Sequence, residues 1–228
     1  MPASTLAPCE LLSCTRCPRL VLHREEVGRI KKRMWRDWTY WSKPVPGFGD
    51  PRARVLLLGL APGAHGSNRT GRPFTGDASG KFLYPTLYNT GFASQPEVID
   101  RNDGMRLRDC YITSVIRCAP PGNKPLPSEI ANCRSWLDQE LAALTRLRVV
   151  VALGKIGFDG YLDYLLRYHV ISRRSLYTFA HAAEYRLPNN ITLLASFHPS
   201  QQNTSTKKLT QPMFTRIFVR ARELAGLP

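Results

Sequence analysis

Short apolar runs alternate with longer amphipathic stretches along most of this chain, and that alternation limits the folds it can adopt. The apolar runs lie at 53–60, 109–117, 148–153 and 191–197. The helical patterns lie at 78–89, 128–146, 156–168 and 211–225. This order predicts a parallel sheet with helices on both faces. We expect one α/β domain spanning residues 1–228, with Ser128 capping the second helix.

A loop rich in glycine follows the first apolar run. Residues 59–77 hold five glycines and two prolines, together with His65, Phe74 and Asp77. Glycine lets a backbone approach a ligand closely with its N–H groups free to donate. In open α/β sheets, ligands bind where the strands end. The loop is therefore the first candidate binding site.

Three side chains near predicted strand ends are candidates for chemistry. Phe74 can stack on a planar base or anchor the loop in the core. Asp77 can orient water or simply cap the helix that begins at about residue 78. His198 follows the last apolar run, where it can donate to a developing anion or bond nearby backbone. Their predicted convergence at one edge of the sheet favours the functional roles.

The charge balance favours an anionic partner. The chain has 32 Lys and Arg against 17 Asp and Glu, a net charge of +15. Nucleic acid is the leading candidate because phosphate contacts release counterions, and residues 23–43 mix basic and aromatic side chains. A basic surface that only aids solubility and an anionic membrane surface are the alternatives.

Targeting signals do not stand out in the sequence. No run approaches the roughly 18 apolar residues of a membrane helix. The first ten residues lack the basic and apolar regions of a signal peptide. We therefore expect a cytoplasmic protein that does not span a membrane.

Cysteine spacing indicates a metal centre, because disulfides are uncommon in the cytosol. Cys14 and Cys17 form a Cys-x-x-Cys pair, and Cys118 and Cys133 lie in a later loop and helix. Four cysteines suit either a zinc ion or a [4Fe–4S] cluster, and spacing does not separate the two. Cys9 is a possible substitute ligand, whereas Cys110 begins an apolar run and reads as a buried hydrophobe.

Three motifs together resemble the uracil-DNA glycosylase superfamily. They are Gly59-x-Ala-Pro-Gly63, Gly71-Arg-Pro-Phe-Thr-Gly-Asp77 and His198-Pro-Ser200. The longer pattern around residues 63–77 resembles family 5, often called UDGb, and the cysteines resemble its iron–sulfur branches. The likeness extends from Cys14 to beyond His198.

That resemblance implies a three-layer α/β/α fold around a four-stranded parallel sheet. It implies a structural [4Fe–4S] cluster on Cys14, Cys17, Cys118 and Cys133. It also implies excision of uracil, and of other deaminated or damaged bases, from DNA to leave an abasic site. Base chemistry in a duplex requires the nucleotide to be flipped out of the stack.

The resemblance also implies roles for individual residues. Asp77, His198 and Asn123 are the expected catalytic residues, with Asn123 the weakest assignment. The expected substrate-binding residues are Gly59, Ala61, Gly63, Ala64, Phe74, Ser114 and Ser200. Residues 201–208 are a candidate for the loop that probes the duplex.

This sequence departs from many relatives at Ala61, where a polar or acidic residue activates water, and at Ser114, where an Asn reads uracil. Both departures agree with family 5 and predict weaker discrimination among bases. The motifs hold no lysine, so we expect a monofunctional glycosylase without strand cleavage. We also expect the protein to be a monomer.

The competing hypothesis is a basic iron–sulfur or zinc protein that binds nucleic acid without catalysis. A phosphate-loop NTPase is disfavoured because its Gly-x-x-x-x-Gly-Lys motif is absent from the sequence.

Overall fold

A mixed sheet of six strands forms the centre of the molecule in the computed structural model, which describes residues 6–228. The strands are β1 (Phe48–Gly49), β2 (Val55–Gly59), β3 (Cys110–Ser114), β4 (Val149–Leu153), β5 (Glu184–Arg186) and β6 (Thr192–Ser196). Their spatial order is β1-β3-β2-β4-β6-β5. The four central strands pair in parallel, and the short edge strands pair antiparallel. The predicted parallel core is confirmed, and two edge strands widen it.

Helices cover both faces of this sheet. They are α1 (Pro18–Ile30), α2 (Ser67–Thr70), α3 (Ala78–Asn89), α4 (Pro127–Ala143), α5 (Lys155–Arg167), α6 (Gln201–Ser205) and α7 (Gln211–Leu224). Alternate residues of the central strands enter two separate cores. Val55 and Leu57 pack on the side of α3 and α7, whereas Leu56 and Leu58 pack on the side of α4 and α5. The predicted three-layer α/β/α architecture is therefore confirmed.

The structure corrects several element boundaries. Helix α4 begins at Pro127 with Leu126 as its N-cap, so the predicted cap at Ser128 is wrong. Proline favours the first helical position, and the Glu129 carboxylate accepts a bond from the Leu126 N–H at 2.7 Å. Strands β1 and β5 escaped prediction because β1 has two residues and β5 is half-exposed.

The segment after His198 also differs from the expected loop. Residues 201–205 form helix α6, and the Ser200 hydroxyl caps it by accepting a bond from the Asn203 N–H at 3.4 Å. The four parallel strands end at one edge of the sheet. That edge carries the glycine-rich loop after β2, the loops after β3 and β4, and the residues between β6 and α6.

Candidate active site

The glycine-rich loop wraps around the carboxylate of Asp77. A Cβ atom added at Gly63 would stand 2.8 Å from Asp77 Oδ2, and one added at Gly66 would stand 2.2 Å from it. Any side chain at Gly66 would therefore displace the carboxylate. Glycine at these two positions lets the loop after β2 close around Asp77.

Asp77 caps helix α3 and also faces the loop. Its Oδ1 accepts a hydrogen bond from the Gly80 N–H at 3.0 Å, which confirms the predicted cap. Desolvation by burial raises the pKa of this carboxyl, while the Gly80 hydrogen bond and the Arg69 charge oppose the rise. A carboxyl with a raised pKa is a stronger base once ionised, which suits proton abstraction from water.

Phe74 and His198 meet at the ends of β2 and β6. Their rings stack with centroids 5.7 Å apart and an interplanar angle of 29°. A Cβ atom added at Gly59 would lie 3.1 Å from the Phe74 ring, so this glycine makes room for the aromatic side chain. Phe74 has a φ of 51°, an uncommon backbone conformation for a bulky residue. The surrounding loop therefore holds the ring in a defined place.

His198 is half-buried at the end of β6. Burial lowers its pKa to about 4, so the imidazole is neutral at pH 7. A Cβ atom at Gly154 would come within 3.2 Å of His198 Cβ, which shows how closely the start of α5 approaches. Asn203 supports the segment by donating its side-chain N–H to the His198 carbonyl at 2.9 Å. A neutral imidazole can donate one N–H to an anion without carrying charge into the site.

The remaining predicted site residues occupy varied positions at this edge. Ser114 ends β3 opposite Gly59, and its hydroxyl donates to the Ile116 carbonyl at 2.7 Å. Ala61 and Ala64 are half-buried in the loop after β2. Asn123 is exposed, with a φ of 56°, in a short 3-10 helix after β3. The structure thus brings Gly59, Phe74 and His198 together, and leaves Asn123 in solvent.

A buried arginine supports the loop, and the sequence analysis missed it. The Arg69 guanidinium lies 3.8 Å from the Trp35 ring and 4.1 Å from the Trp38 ring. It donates to the His65 and Gly76 carbonyls, each at 2.9 Å. Two tryptophans three residues apart in the basic segment were the available signal. Nothing in the sequence pattern paired them with Arg69.

Four of the six cysteines lie around one cavity. Cys14, Cys17, Cys118 and Cys133 all line one cavity beside α1 and α4. The buried Arg24 guanidinium donates to Cys118 Sγ at 3.0 Å. Within the described chain, no group of three or more His, Cys, Asp or Glu side chains is arranged to hold a metal ion. Cys9 is exposed and Cys110 is fully buried, as predicted for a small hydrophobe.

Membrane-spanning character is lacking in the described part of the chain, because none of its helices combines enough length with enough apolar character to cross a bilayer.

The parallel sheet carries a glycine-rich loop, an aromatic, a carboxylate and a histidine near its carboxyl edge, as is typical of a ligand-binding α/β protein. A sequence profile described as the Uracil DNA glycosylase superfamily matches residues 46–222, and the chain belongs to that superfamily. A type-5 uracil-DNA glycosylase of Thermus thermophilus is 54% identical over 95% of this chain and 96% of its own length. The type-5 enzymes of Mycobacterium bovis and Pyrobaculum aerophilum are 45% and 42% identical over 94% and 95% of this chain, and 79% and 91% of their own lengths. Within the superfamily, the chain falls in the type-5 family.

Proposed function

We propose that this protein removes uracil from DNA by hydrolysing the N-glycosidic bond, which leaves an abasic site. The observation that carries the proposal is the Phe74 ring stacked on the His198 ring, in a loop whose glycines also close around the Asp77 carboxylate. The names of the type-5 relatives support uracil as the base. The partner is DNA, and the net charge of +15 suits its phosphates.

His198 stabilises the departing base in this proposal. As the C1′–N bond breaks, negative charge builds on the pyrimidine, and a neutral imidazole N–H donates to it. Its low pKa, about 4, keeps the imidazole uncharged at neutral pH. Phe74 stacks on the flipped base and limits its orientation. A donor fixed in a dry site stabilises developing charge more than one in water.

Asp77 provides the carboxylate. It accepts a proton from the attacking water, or stabilises positive charge on the sugar, while the water oxygen bonds to C1′. Its Oδ2 faces Gly63 and Gly66, in the same loop as Ala61, which has no acid to offer. Asn123 would contact the base or the water. Its side chain is exposed, so its loop would have to move for that contact to form.

The substrate range should extend to other deaminated bases. Ser114 stands where many relatives carry an amide that reads uracil, and its hydroxyl already serves the Ile116 carbonyl. A site without an amide reader leaves fewer groups unpaired when the base is wrong, so rejection weakens. Backbone at Gly63 and Ala64 and the Ser200 hydroxyl would hold flanking phosphates. For Ser200, that contact competes with its role as the cap of α6.

The cysteine cavity fits a [4Fe–4S] cluster as a structural group. In such a cluster each iron takes one thiolate, so its ligands surround a body instead of converging on one ion. Cys14, Cys17, Cys118 and Cys133 line one cavity, which supports a shared group held by these four residues. The cluster would join the segment before α1 to α4, which supports a single domain. The cluster takes no part in the hydrolysis.

The ligand set has a direct test. A Cys→Ser substitution at any one of four positions should abolish the brown colour and the absorption near 400 nm (roughly where such clusters absorb). The positions are Cys14, Cys17, Cys118 and Cys133. Cys9→Ser is the matched control and should keep both. Zinc in place of iron in the purified protein would contradict the cluster. Colour lost with Cys9→Ser would mean that this residue is a ligand.

The enzyme should work as a cytoplasmic monomer without strand cleavage. No lysine lies in the motifs to form a Schiff base, so the backbone should break only after alkali. Among the described residues no two cysteines form a disulfide, which suits a reducing compartment.

The activity is tested with a labelled duplex that contains one uracil. Incubation followed by alkali should cut the labelled strand at that position, and incubation without alkali should leave it intact. Asp77→Asn is the matched variant, because asparagine also caps helices. Binding without any alkali-labile site in the intact protein would support the non-catalytic alternative.

A further inference from the structure

A turn that packs against the loop after β2 presents the most exposed large apolar side chain of the described residues. Residues 31–38 form this turn around a short 3-10 helix, Arg33–Trp35. Met34 at its tip is 73% exposed. The Lys31 ammonium donates to the Arg36 carbonyl at 3.0 Å and closes the turn. An unbranched apolar side chain held at such a tip suits insertion between flat surfaces.

The turn is anchored to the catalytic loop. The Trp35 and Trp38 rings sit 5.6 Å apart at 85° and enclose the Arg69 guanidinium. Arg69 is 2% exposed, and it donates to the carbonyl of Gly76, the residue before Asp77. Met34 therefore directly precedes Trp35, whose ring contacts Arg69, and Arg69 in turn bonds the residue before Asp77. The turn is thus connected, through Trp35 and Arg69, to the segment that carries Asp77.

The charges around the tip complement a phosphate backbone. Lys32, Arg33 and Arg36 are exposed on either side of Met34, and Asp37 is the one acidic residue within the turn. This pattern of an apolar tip between cations matches the way wedge side chains enter a base step while basic neighbours contact phosphates.

The segment after His198 does not offer such a side chain. Residues 201–208, the expected probe of the duplex, begin with the exposed Gln201 and Gln202. The first apolar residue after them, Leu209, is 1% exposed. A polar helix end can contact the vacated site but gains little from entering the stack.

We propose that Met34 is an apolar wedge that enters the DNA stack beside the flipped nucleotide, with Lys32, Arg33 and Arg36 on the flanking phosphates. The inference rests on the proposed glycosylase activity and adds the surface that opens the duplex. Unstacking a base step costs free energy, so loss of the wedge slows duplex repair. Single-stranded DNA has no paired stack to open and should be indifferent to the change.

The experiment compares Met34→Ala with wild type and with Leu176→Ala. Leu176 is a matched control, since it is 55% exposed at the end of another 3-10 helix, Arg174–Leu176. Each protein is given uracil in a duplex and in a single strand, and kcat/KM is measured for both. A second duplex carries 2-aminopurine beside the uracil, whose fluorescence rises on unstacking. Melting temperatures establish that all variants fold.

Met34→Ala should lower kcat/KM on the duplex by about tenfold, equivalent to about 1.4 kcal/mol, and reduce the 2-aminopurine signal. Its single-strand activity should stay within about twofold of wild type, and Met34→Leu should restore duplex activity. Equal rates for Met34→Ala and Leu176→Ala on the duplex would overturn the wedge, and so would an equal loss on both substrates. A wild-type protein inactive on both substrates would instead refute the proposed function.

Discussion

At the scale of single residues, the site depends on groups whose ionisation is set by burial. Desolvation pushes Asp77 and His198 in opposite directions, because it disfavours the charged form of each. The pKa of the carboxyl rises and the pKa of the imidazole falls. Both shifts favour the neutral forms, so ionised Asp77 costs folding free energy.

Replacement of Asp77 separates function from stability. Asp77→Asn keeps an N-cap and removes a desolvated charge, so turnover should fall by about 10² or more. Because its folded pKa is raised, ionised Asp77 costs stability above that pKa, and the melting temperature of Asp77→Asn at pH 7 should equal or exceed that of wild type. Single-turnover kinetics and thermal melts measure the two effects. Unchanged turnover would exclude Asp77 from the chemistry.

The pH dependence of stability should carry the signature of His198. Its folded pKa of about 4 lies below the usual histidine value of 6.5, so the unfolded chain binds the extra proton between these values. Stability should therefore fall as the pH drops from about 6.5 towards 4. His198→Asn should flatten that part of the profile in urea titrations. Identical profiles for both proteins would contradict a buried neutral imidazole.

At the scale of elements, a buried ion pair fastens β3 to α4. The Arg117 guanidinium lies 2.7 Å from Glu140 Oε2, and both side chains are about 1% exposed. The Glu140 carboxylate also accepts bonds from Tyr111, Thr113 and the Gly47 N–H. Arg117 directly precedes Cys118, so the pair fixes the start of the loop that carries a cysteine of the cavity.

Breaking this pair should be costly. Glu140→Gln leaves Arg117 buried without its counter-charge, and the free energy of unfolding should drop by about 3–5 kcal/mol. Urea denaturation measures the change. The control is Glu223→Gln, whose partner Arg220 is on the surface, and it should show no measurable loss. A small effect of Glu140→Gln would mean that water reaches the pair.

At the scale of the whole molecule, both the net charge and the shape of the sheet edge suit DNA as the partner. The net charge of +15 provides long-range attraction, whereas the edge with the four parallel strand ends provides the site. The turn at Met34 and helix α6 are two exposed features next to that site. The cysteine cavity is lined by residues of α1 and α4 and does not include Asp77.

Affinity for DNA should depend steeply on salt. Each phosphate contact contributes a slope of about −0.9 in log K against log salt, so three or more contacts should give a slope of about −3 or steeper. Anisotropy titrations of a labelled duplex measure it. Charge reversal at Lys32 and Arg36 together should reduce the slope by about two. A flat salt dependence would contradict electrostatic binding.

Much of the fold and of the candidate site could be predicted from the sequence alone. Alternating apolar runs specified the parallel sheet, because a strand buried on both faces must be apolar throughout. The spacing of glycines, Phe74, Asp77 and His198 indicated a site at the strand ends, since parallel strands end at one edge. The Asp77 cap was equally local. Such features depend on neighbours in sequence, and their physical causes lie within a few residues.

Other features required the folded chain. The clamp of Arg69 between Trp35 and Trp38 joins residues more than thirty positions apart, and β5 exists only because β6 offers it an edge. The partial burial of His198 comes from its packing against Gly154 and Phe74, so the lowering of its pKa could not be read from the sequence. Composition and periodicity describe what each segment can do locally. Burial, charge separation and long-range contacts arise only when distant segments exclude water together.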